Sequence, residues 1–161
     1  MKKMVVWMIL VSVLISFPGT AFAASGTTTT AITELQREYE EMLETYLANG
    51  WVLVSEIEAE ELLRRATITG TFSDNVRRNG ILLGRAYIDV HYYVPGMVYD
   101  GWSNVRVIKD SDPNILECTL LDYDVVYSEV TNQLAVLMQI YGRHAAGAEG
   151  SFFERDVYVL S

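Results

Sequence analysis

One stretch of the sequence places titratable side chains at the alternate spacing of a β-strand. Asp89 and His91 are two residues apart, so both would lie on one face of a strand. A carboxylate beside an imidazole can fix the histidine tautomer and raise its pKa, as a general base requires. If the chain turns back around Pro95-Gly96, Asp100 lies opposite His91. The resulting face joins carboxylates, an imidazole and aromatic rings: Tyr87, Asp89, His91, Tyr93, Asp100 and Trp102.

These residue types favour binding over catalysis. No serine or cysteine nucleophile is predicted beside His91, because the same register turns Cys118 to the opposite face. Aromatic rings mixed with polar groups on a sheet suit a sugar, a peptide or a partner protein. Two alternatives stay open, namely an ordinary solvent-exposed face of cross-strand pairs and a small hydrolase that uses Asp89, His91 and Asp100. We assign no catalytic residue.

Metal and cofactor motifs are weak. Residues 110–114 resemble the opening of a calcium loop, but the sixth position is Ile115 rather than Gly and the twelfth is Leu121 rather than Glu. A turn rich in Asp, Pro and Asn explains the segment better. The candidate zinc ligands, which show no ligand spacing, are His91, His144 and Cys118. We therefore expect no metal site and no cofactor.

The elements that would carry the predicted face follow from hydrophobic periodicity. A capping box at Thr33 and a stop at Asn49-Gly50 predict a helix over 33–49. A second capping box predicts a short helix over 55–65, with a hairpin as the alternative. Residues 51–54 are a short strand candidate. The longer predicted strands cover 67–72, 82–94, 97–108, 115–127, 134–141 and 152–160.

This order of elements predicts an α+β fold. One or two N-terminal helices pack on a twisted antiparallel sheet of about six strands, a meander that could curl toward a barrel or a sandwich. The apolar run 134–138 predicts a strand buried on both faces, with a helix or a partner interface as alternatives.

The positions of two predicted turns also fix which residues of neighbouring strands pair with each other. A turn centred on 95–96 pairs Ile88 with Ser103 on the core face, and the opposite face then pairs Asp89 with Trp102. A loop at 109–114 pairs Val105 with Cys118 and buries the thiol. The same register puts Asp122 and Asp124 on the core face, which requires a bulge or a strand end.

The N-terminus has the features of an export signal. Lys2 and Lys3 precede an apolar run over 4–17, and an A-x-A cleavage motif ends at Ala23. We therefore divide the chain into a signal peptide (1–23), a flexible Thr-rich lead (24–30) and a single globular domain (31–161). The composition, half apolar over 161 residues, excludes collagen, coiled-coil and disordered classes.

The net charge and the cysteine content limit the kinds of partner that the protein is expected to bind. Removing Lys2 and Lys3 leaves 10 basic against 21 acidic side chains, a net charge of −11. Such a surface repels phosphate backbones and anionic lipid, so we expect no nucleic acid and no membrane insertion after cleavage. A lone Cys118 cannot close an internal disulfide. We expect a periplasmic or secreted non-enzymatic binding or envelope-assembly module whose partner is another envelope or secreted protein.

Overall fold

The computed structural model describes residues 26–62, 67–94, 96–147 and 149–160. The predicted signal peptide and its cleavage site lie outside these residues. The chain divides into two compact units, Met1–Ala31 and Ile32–Ser161, and the second carries all the described strands. Within the described ranges, none of the helices combines the length and the apolar character needed to span a bilayer.

The N-terminal helix is longer than predicted. Helix α1 spans Gly26–Ala48 and therefore includes most of the predicted flexible lead. Threonine is only a few tenths of a kcal/mol worse than average in a helix, so the threonine run does not prevent it. The predicted stop at Asn49-Gly50 is confirmed, because the helix ends at Ala48 and Gly50 takes a positive φ of 82°. Helix α2, Ala59–Leu62, covers only part of the predicted 55–65 helix, and residues 63–66 are not described.

The antiparallel β character is confirmed, but the predicted single meander is wrong. The described strands are β1 Val52–Leu53, β2 Thr67–Arg78, β3 Ile81–Tyr93, β4 Val98–Lys109, β5 Ile115–Ser128, β6 Gln133–His144 and β7 Glu149–Val159. They form two sheets with the orders β2-β3-β4 and β1-β5-β6-β7, and each of these pairings is antiparallel. The fold is α+β and mainly β, and the sheets do not close into a barrel.

The predicted β4–β5 hairpin is replaced by a crossing from one sheet to the other. Cys118 of β5 pairs with Gly142 of β6, not with Val105 of β4. The split into two sheets lets both inner faces bury apolar side chains against each other. The predicted burial of Cys118 is nevertheless confirmed, since the residue is 7% exposed. Burial raises the pKa of its thiol to about 11, which leaves little reactive thiolate at neutral pH.

The two sheets share one hydrophobic core. Ile88 and Val90 of β3 belong to the same buried cluster as Val136 and Ile140 of β6. The prediction that 134–138 is a strand buried on both faces is confirmed, because each of its five residues is at most 1% exposed. Strand β6 is therefore the centre of the fold, with the three-stranded sheet on one side.

A bulge turns two aspartates of β5 away from this core. The register with β6 shifts between Leu120 and Asp122, so of the two predicted alternatives, a bulge or a strand end, the structure contains the bulge. Asp124 then lies on the outer face, where the hydroxyl of Tyr39 in α1 donates a 2.7 Å hydrogen bond to it. The Tyr39 ring also stacks on Phe153 of β7 at 5.1 Å. The part of α1 that belongs to the second unit thus contacts the outer face of the four-stranded sheet through Tyr39.

Candidate functional site

The predicted polar-aromatic face lies on the three-stranded sheet, but its register is shifted by bulges. At the hairpin tip, Tyr93 pairs with Val98 as predicted. The register then shifts between His91 and Tyr92, so His91 pairs with Gly101 rather than with Asp100. Gly101 has a φ of +153°, a conformation that favours glycine. The predicted His91–Asp100 cross-strand pair is therefore wrong.

Trp102 belongs to the core and not to the polar face. It pairs with Val90 and is 3% exposed. Its indole N–H donates a 3.2 Å hydrogen bond to the carbonyl of Val54, and its ring meets Tyr123 edge-on at 5.9 Å. One extra residue at the bulge reverses which side chains point inward. A glycine inside a predicted strand is the sequence signal for such a bulge.

Asp89 joins all three strands on the outer face of this sheet. Its carboxylate accepts hydrogen bonds from Thr71 Oγ1 at 2.7 Å, Asn104 Nδ2 at 2.8 Å and Arg106 Nη1 at 3.1 Å. Burial alone would raise the pKa of Asp89, but the hydrogen bonds from Thr71 and Asn104 and the charge of Arg106 outweigh it and lower the pKa. Arg106 also lies over the Tyr87 ring at 5.1 Å. Asp89 is therefore ionised, and its hydrogen bonds link β3 to both neighbouring strands.

His91 is enclosed between two hydroxyl groups. Its Nδ1 lies 2.9 Å from Thr69 Oγ1 of β2, and its Nε2 lies 2.8 Å from Ser103 Oγ of β4. The residue is 3% exposed. Burial lowers the pKa of His91 and outweighs the nearby charges of Asp89 and Asp100, which raise it. The neutral ring can donate from one nitrogen and accept at the other, which suits a cross-strand link.

The residues after β1 account for part of this enclosure. The chain from Val54 to Ile57 crosses between the sheets, with the Val54 N–H bonded to Val125 and the Ile57 N–H bonded to Trp102. The Ile57 side chain lies so close to Gly101 that a Cβ added there would be 2.0 Å from Ile57 Cδ1. The sequence shows no signal for this crossing.

Ser103 is a possible nucleophile that was not among the predicted site residues. The predicted register placed Ser103 opposite Ile88 in the core. A serine hydroxyl 2.8 Å from a histidine nitrogen has the spacing of a nucleophile and its base. The third group, however, is the hydroxyl of Thr69 rather than a carboxylate. The carboxylate of Asp89 binds Thr71, Asn104 and Arg106 instead, so the geometry is that of an incomplete triad.

Exposed hydrophobic side chains concentrate at the tip of the β3–β4 hairpin. Tyr93 is 47% exposed, Met97 51% and Val98 61%, and Val94 between them is 40% exposed. Ile68 of β2, 46% exposed, pairs with Tyr92 and so lies on the opposite face of the sheet from Tyr93. We call the four residues Tyr93, Val94, Met97 and Val98 the hairpin cluster. Only Tyr93 was among the predicted site residues, although the apolar run on both sides of Pro95-Gly96 was a visible signal.

Metal binding has no geometric support in the described part of the chain, where no three His, Cys, Asp or Glu side chains are grouped to hold an ion. Comparison with known proteins yields no match to a family, to a curated protein or to a solved structure.

Proposed function

We propose that the protein is an exported, non-enzymatic binding module that holds another envelope or secreted protein through the hairpin cluster. The observation that carries this proposal is the concentration of exposed apolar side chains, with Tyr93 and Val98 paired across the tip. Contiguous exposed apolar surface is typical of protein interaction sites. Aromatic residues such as Tyr93 frequently supply the largest share of binding energy there.

The polar part of the same sheet face supports recognition beside this apolar contact. Tyr87 and Asp89 are fixed by Arg106, and Thr71 is exposed beside them. Rigid polar groups around an apolar centre are the usual arrangement of an interface rim. Asp100 is the inserted residue of the β4 bulge, between Tyr99 and Gly101. Trp102 lies in the core beneath this face, whereas His91 lies on the same face as Asp89 and is buried there between Thr69 and Ser103.

The location of the partner follows from the export signal. Cleavage after Ala23 would deliver a chain of net charge −11 to the periplasm or the medium. That charge disfavours nucleic acid and anionic lipid as partners, so a protein surface with an apolar centre is the better match.

Two valines allow a matched test of this proposal. Val98 in the hairpin cluster is 61% exposed, and Val159 at the end of β7 is 62% exposed. Val98→Asp should reduce capture of the partner from an envelope extract at least tenfold, because it places a charge at the centre of an apolar contact. Val159→Asp should leave capture unchanged. Capture is quantified by affinity pull-down of the mature protein followed by mass spectrometry, and equal recovery with both variants would contradict the proposal.

A small hydrolase is the second candidate, favoured only by the 2.8 Å contact between Ser103 Oγ and His91 Nε2. We expect the mature protein to show no turnover of activated esters above that of Ser103→Ala, since His91 is enclosed and lacks a carboxylate partner. p-Nitrophenyl esters of short acids provide the assay. Turnover that falls a hundredfold or more in Ser103→Ala, the effect of losing a nucleophile, would replace the binding proposal by the hydrolase.

A further inference from the structure

Strand β2 forms one edge of the three-stranded sheet, and no described strand pairs with its far side. Residues 67–75 pair with β3 without a register shift, so this part of the edge is regular. The first seven residues, 67–73, contain no charged side chain and no proline. The backbone N–H and C=O groups along a regular, uncharged edge are a template for pairing with a further strand.

The other three sheet edges are protected in the part of the chain that the structure describes. Beside β4, the Ile57 N–H bonds the carbonyl of Trp102, and the Asn104 N–H bonds the Glu56 carboxylate at 2.7 Å. Two register shifts interrupt β5, and β1 pairs with its end. The middle of β7 carries three charged residues in succession, 154–156. Bulges, charges and covering segments are the means by which proteins prevent edge pairing, and among the described edges the first part of β2 has none of them.

The second part of β2 is protected as well. Three of its five residues over 74–78 are charged, and the register with β3 shifts within it. Asp74 Oδ1 accepts the backbone N–H of Asn75 at 2.6 Å, and Arg78 Nη1 donates to the carbonyl of Gly150 in β7 at 2.7 Å. The unprotected part of this edge is therefore limited to the segment that precedes Asp74.

Residues 67–73 match themselves in an antiparallel pairing centred on Gly70. Hydroxyl side chains then oppose hydroxyl side chains on the outer face, and an aliphatic side chain opposes an aromatic ring on the core-facing side. The pairs, with one residue from each copy, are Thr67 with Ser73, Ile68 with Phe72, Thr69 with Thr71, and Gly70 with itself. Ile68, which is 46% exposed, is covered in this register. A pairing centred on Thr71 would instead oppose Ile68 and Asp74, so the side chains select Gly70 as the centre.

Side-chain hydrogen bonds to β3 already hold this part of β2 in place. Thr69 Oγ1 lies 2.9 Å from His91 Nδ1, and Thr71 Oγ1 donates to Asp89 Oδ1 at 2.7 Å. An edge strand that is ordered in advance loses little conformational entropy when a further strand pairs with it.

We propose that a second copy of this chain pairs with 67–73 across a two-fold axis at Gly70. The two three-stranded sheets then form one six-stranded antiparallel sheet with the order β4-β3-β2-β2-β3-β4. Opposed residues of antiparallel strands share a face, so the outer faces of both copies lie on the same side of this sheet. The hairpin cluster belongs to β3 and β4 and lies outside the contact between the copies.

Sedimentation velocity of the mature protein over a concentration series tests this proposal. We expect the wild type to sediment as a dimer that dissociates on dilution. Ile68→Asp should raise the dissociation constant at least tenfold, because it places a charge against Phe72 of the second copy. Val157→Asp on β7 should change it less than twofold, since Val157 is similarly exposed, at 43%, and lies outside the contact. Val98→Asp should also leave the dimer intact, so a failure of this proposal and a failure of the partner-binding proposal are distinguishable.

Cysteine substitutions test the register. Gly70→Cys has room for its side chain, because a Cβ there would lie 3.6 Å from the Tyr92 ring. Opposed residues of antiparallel strands have Cα atoms about 4.5–5.5 Å apart, within the range of a disulfide, so mild oxidation should link two copies of Gly70→Cys. Ser73→Cys is the control and should not link, because two residues at position 73 would be about 20 Å apart. A wild type that is monomeric at every concentration would overturn the proposal, as would equal weakening by Ile68→Asp and Val157→Asp or equal cross-linking of both cysteine variants.

Discussion

Between pH 5 and pH 8 the wild-type protein should lose free energy of unfolding relative to an Asp156→Asn variant as the pH rises. Asp156 is 5% exposed and lies on β7, where side chains 152, 154, 156 and 158 share the face turned to the other sheet. The contact of the Phe72 and Tyr158 rings at 5.3 Å shows that β2 faces β7 here. We call the group formed by Asp74 of β2 with Glu154 and Asp156 of β7 the carboxylate seam.

The carboxylate seam contains three acidic side chains, and two of them have raised pKa values. Burial, followed by the charges of Asp156 and Asp74, raises the pKa of Glu154 to about 7, while the backbone of Arg77 lowers it. Burial and the charge of Asp74 raise the pKa of Asp156 to about 6, and the hydroxyl of Tyr158 opposes them. Both carboxyls therefore hold their protons more tightly in the folded chain than in the unfolded chain.

The sign of the effect follows from linkage. A carboxyl whose pKa is raised by folding contributes its full stability at low pH, and this contribution falls as pH rises toward the folded pKa. The window here runs from about pH 4 to about pH 7. We expect a loss on the order of 2 kcal/mol, which is less than the two pKa shifts imply in full, because water reaches part of the seam.

Urea unfolding at pH 5 and pH 8 measures this effect. The lowered pKa of His91 changes stability with pH in the opposite direction, but it does so in both proteins. The difference in unfolding free energy between wild type and Asp156→Asn therefore reports the carboxylate seam alone. Glu44→Gln on the exposed face of α1 is the control and should not alter the pH dependence. If Asp156→Asn is no more stable than wild type at pH 8, the ionised carboxylates of the seam do not destabilise the folded protein, which would contradict this prediction.

Trp102→Ala should cost about 3–5 kcal/mol of unfolding free energy, the range for removing a large buried aromatic side chain. The substitution deletes a residue that is 3% exposed, its edge-on contact with Tyr123 and its hydrogen bond to Val54. Because that bond links β4 to the residues after β1, the crossing between the sheets should loosen as well.

Tyr93→Ala is the matched comparison for this core substitution. Tyr93 is 47% exposed, so its replacement should change stability by about 0.5 kcal/mol or less. Denaturant unfolding of both variants at one pH gives the two values. Similar small losses in both would mean that Trp102 lies on the surface, as the unbulged register predicts.

Local patterns carried enough information to predict most elements. The end of α1, the six long strands and the double burial of 134–138 all follow from hydrophobic period and turn residues. The partition into two sheets did not follow. The short 110–114 connection suits a hairpin within one sheet as well as a crossing between two, and only the packing of both inner faces distinguishes them.

The candidate site was harder to predict because it depends on single inserted residues. Asn104, with a φ of +57°, and Asp100 each displace the β4 alternation by one position. As a result of these two insertions, Trp102 lies in the core and Ser103 lies within hydrogen-bond distance of His91. The crossing of residues 54–57 over Gly101 is a long-range contact, so no periodicity within the segment signals it.

The most direct test of the hairpin cluster as the binding surface is site-specific photo-crosslinking in the producing cells. A photoreactive amino acid at position 98 should give a discrete adduct between the exported protein and an envelope or secreted partner. The same amino acid at position 159, equally exposed in the free chain, should give none. Adducts of the same partner from both positions, or from 159 alone, would contradict the assignment of the β3–β4 hairpin as the surface that binds.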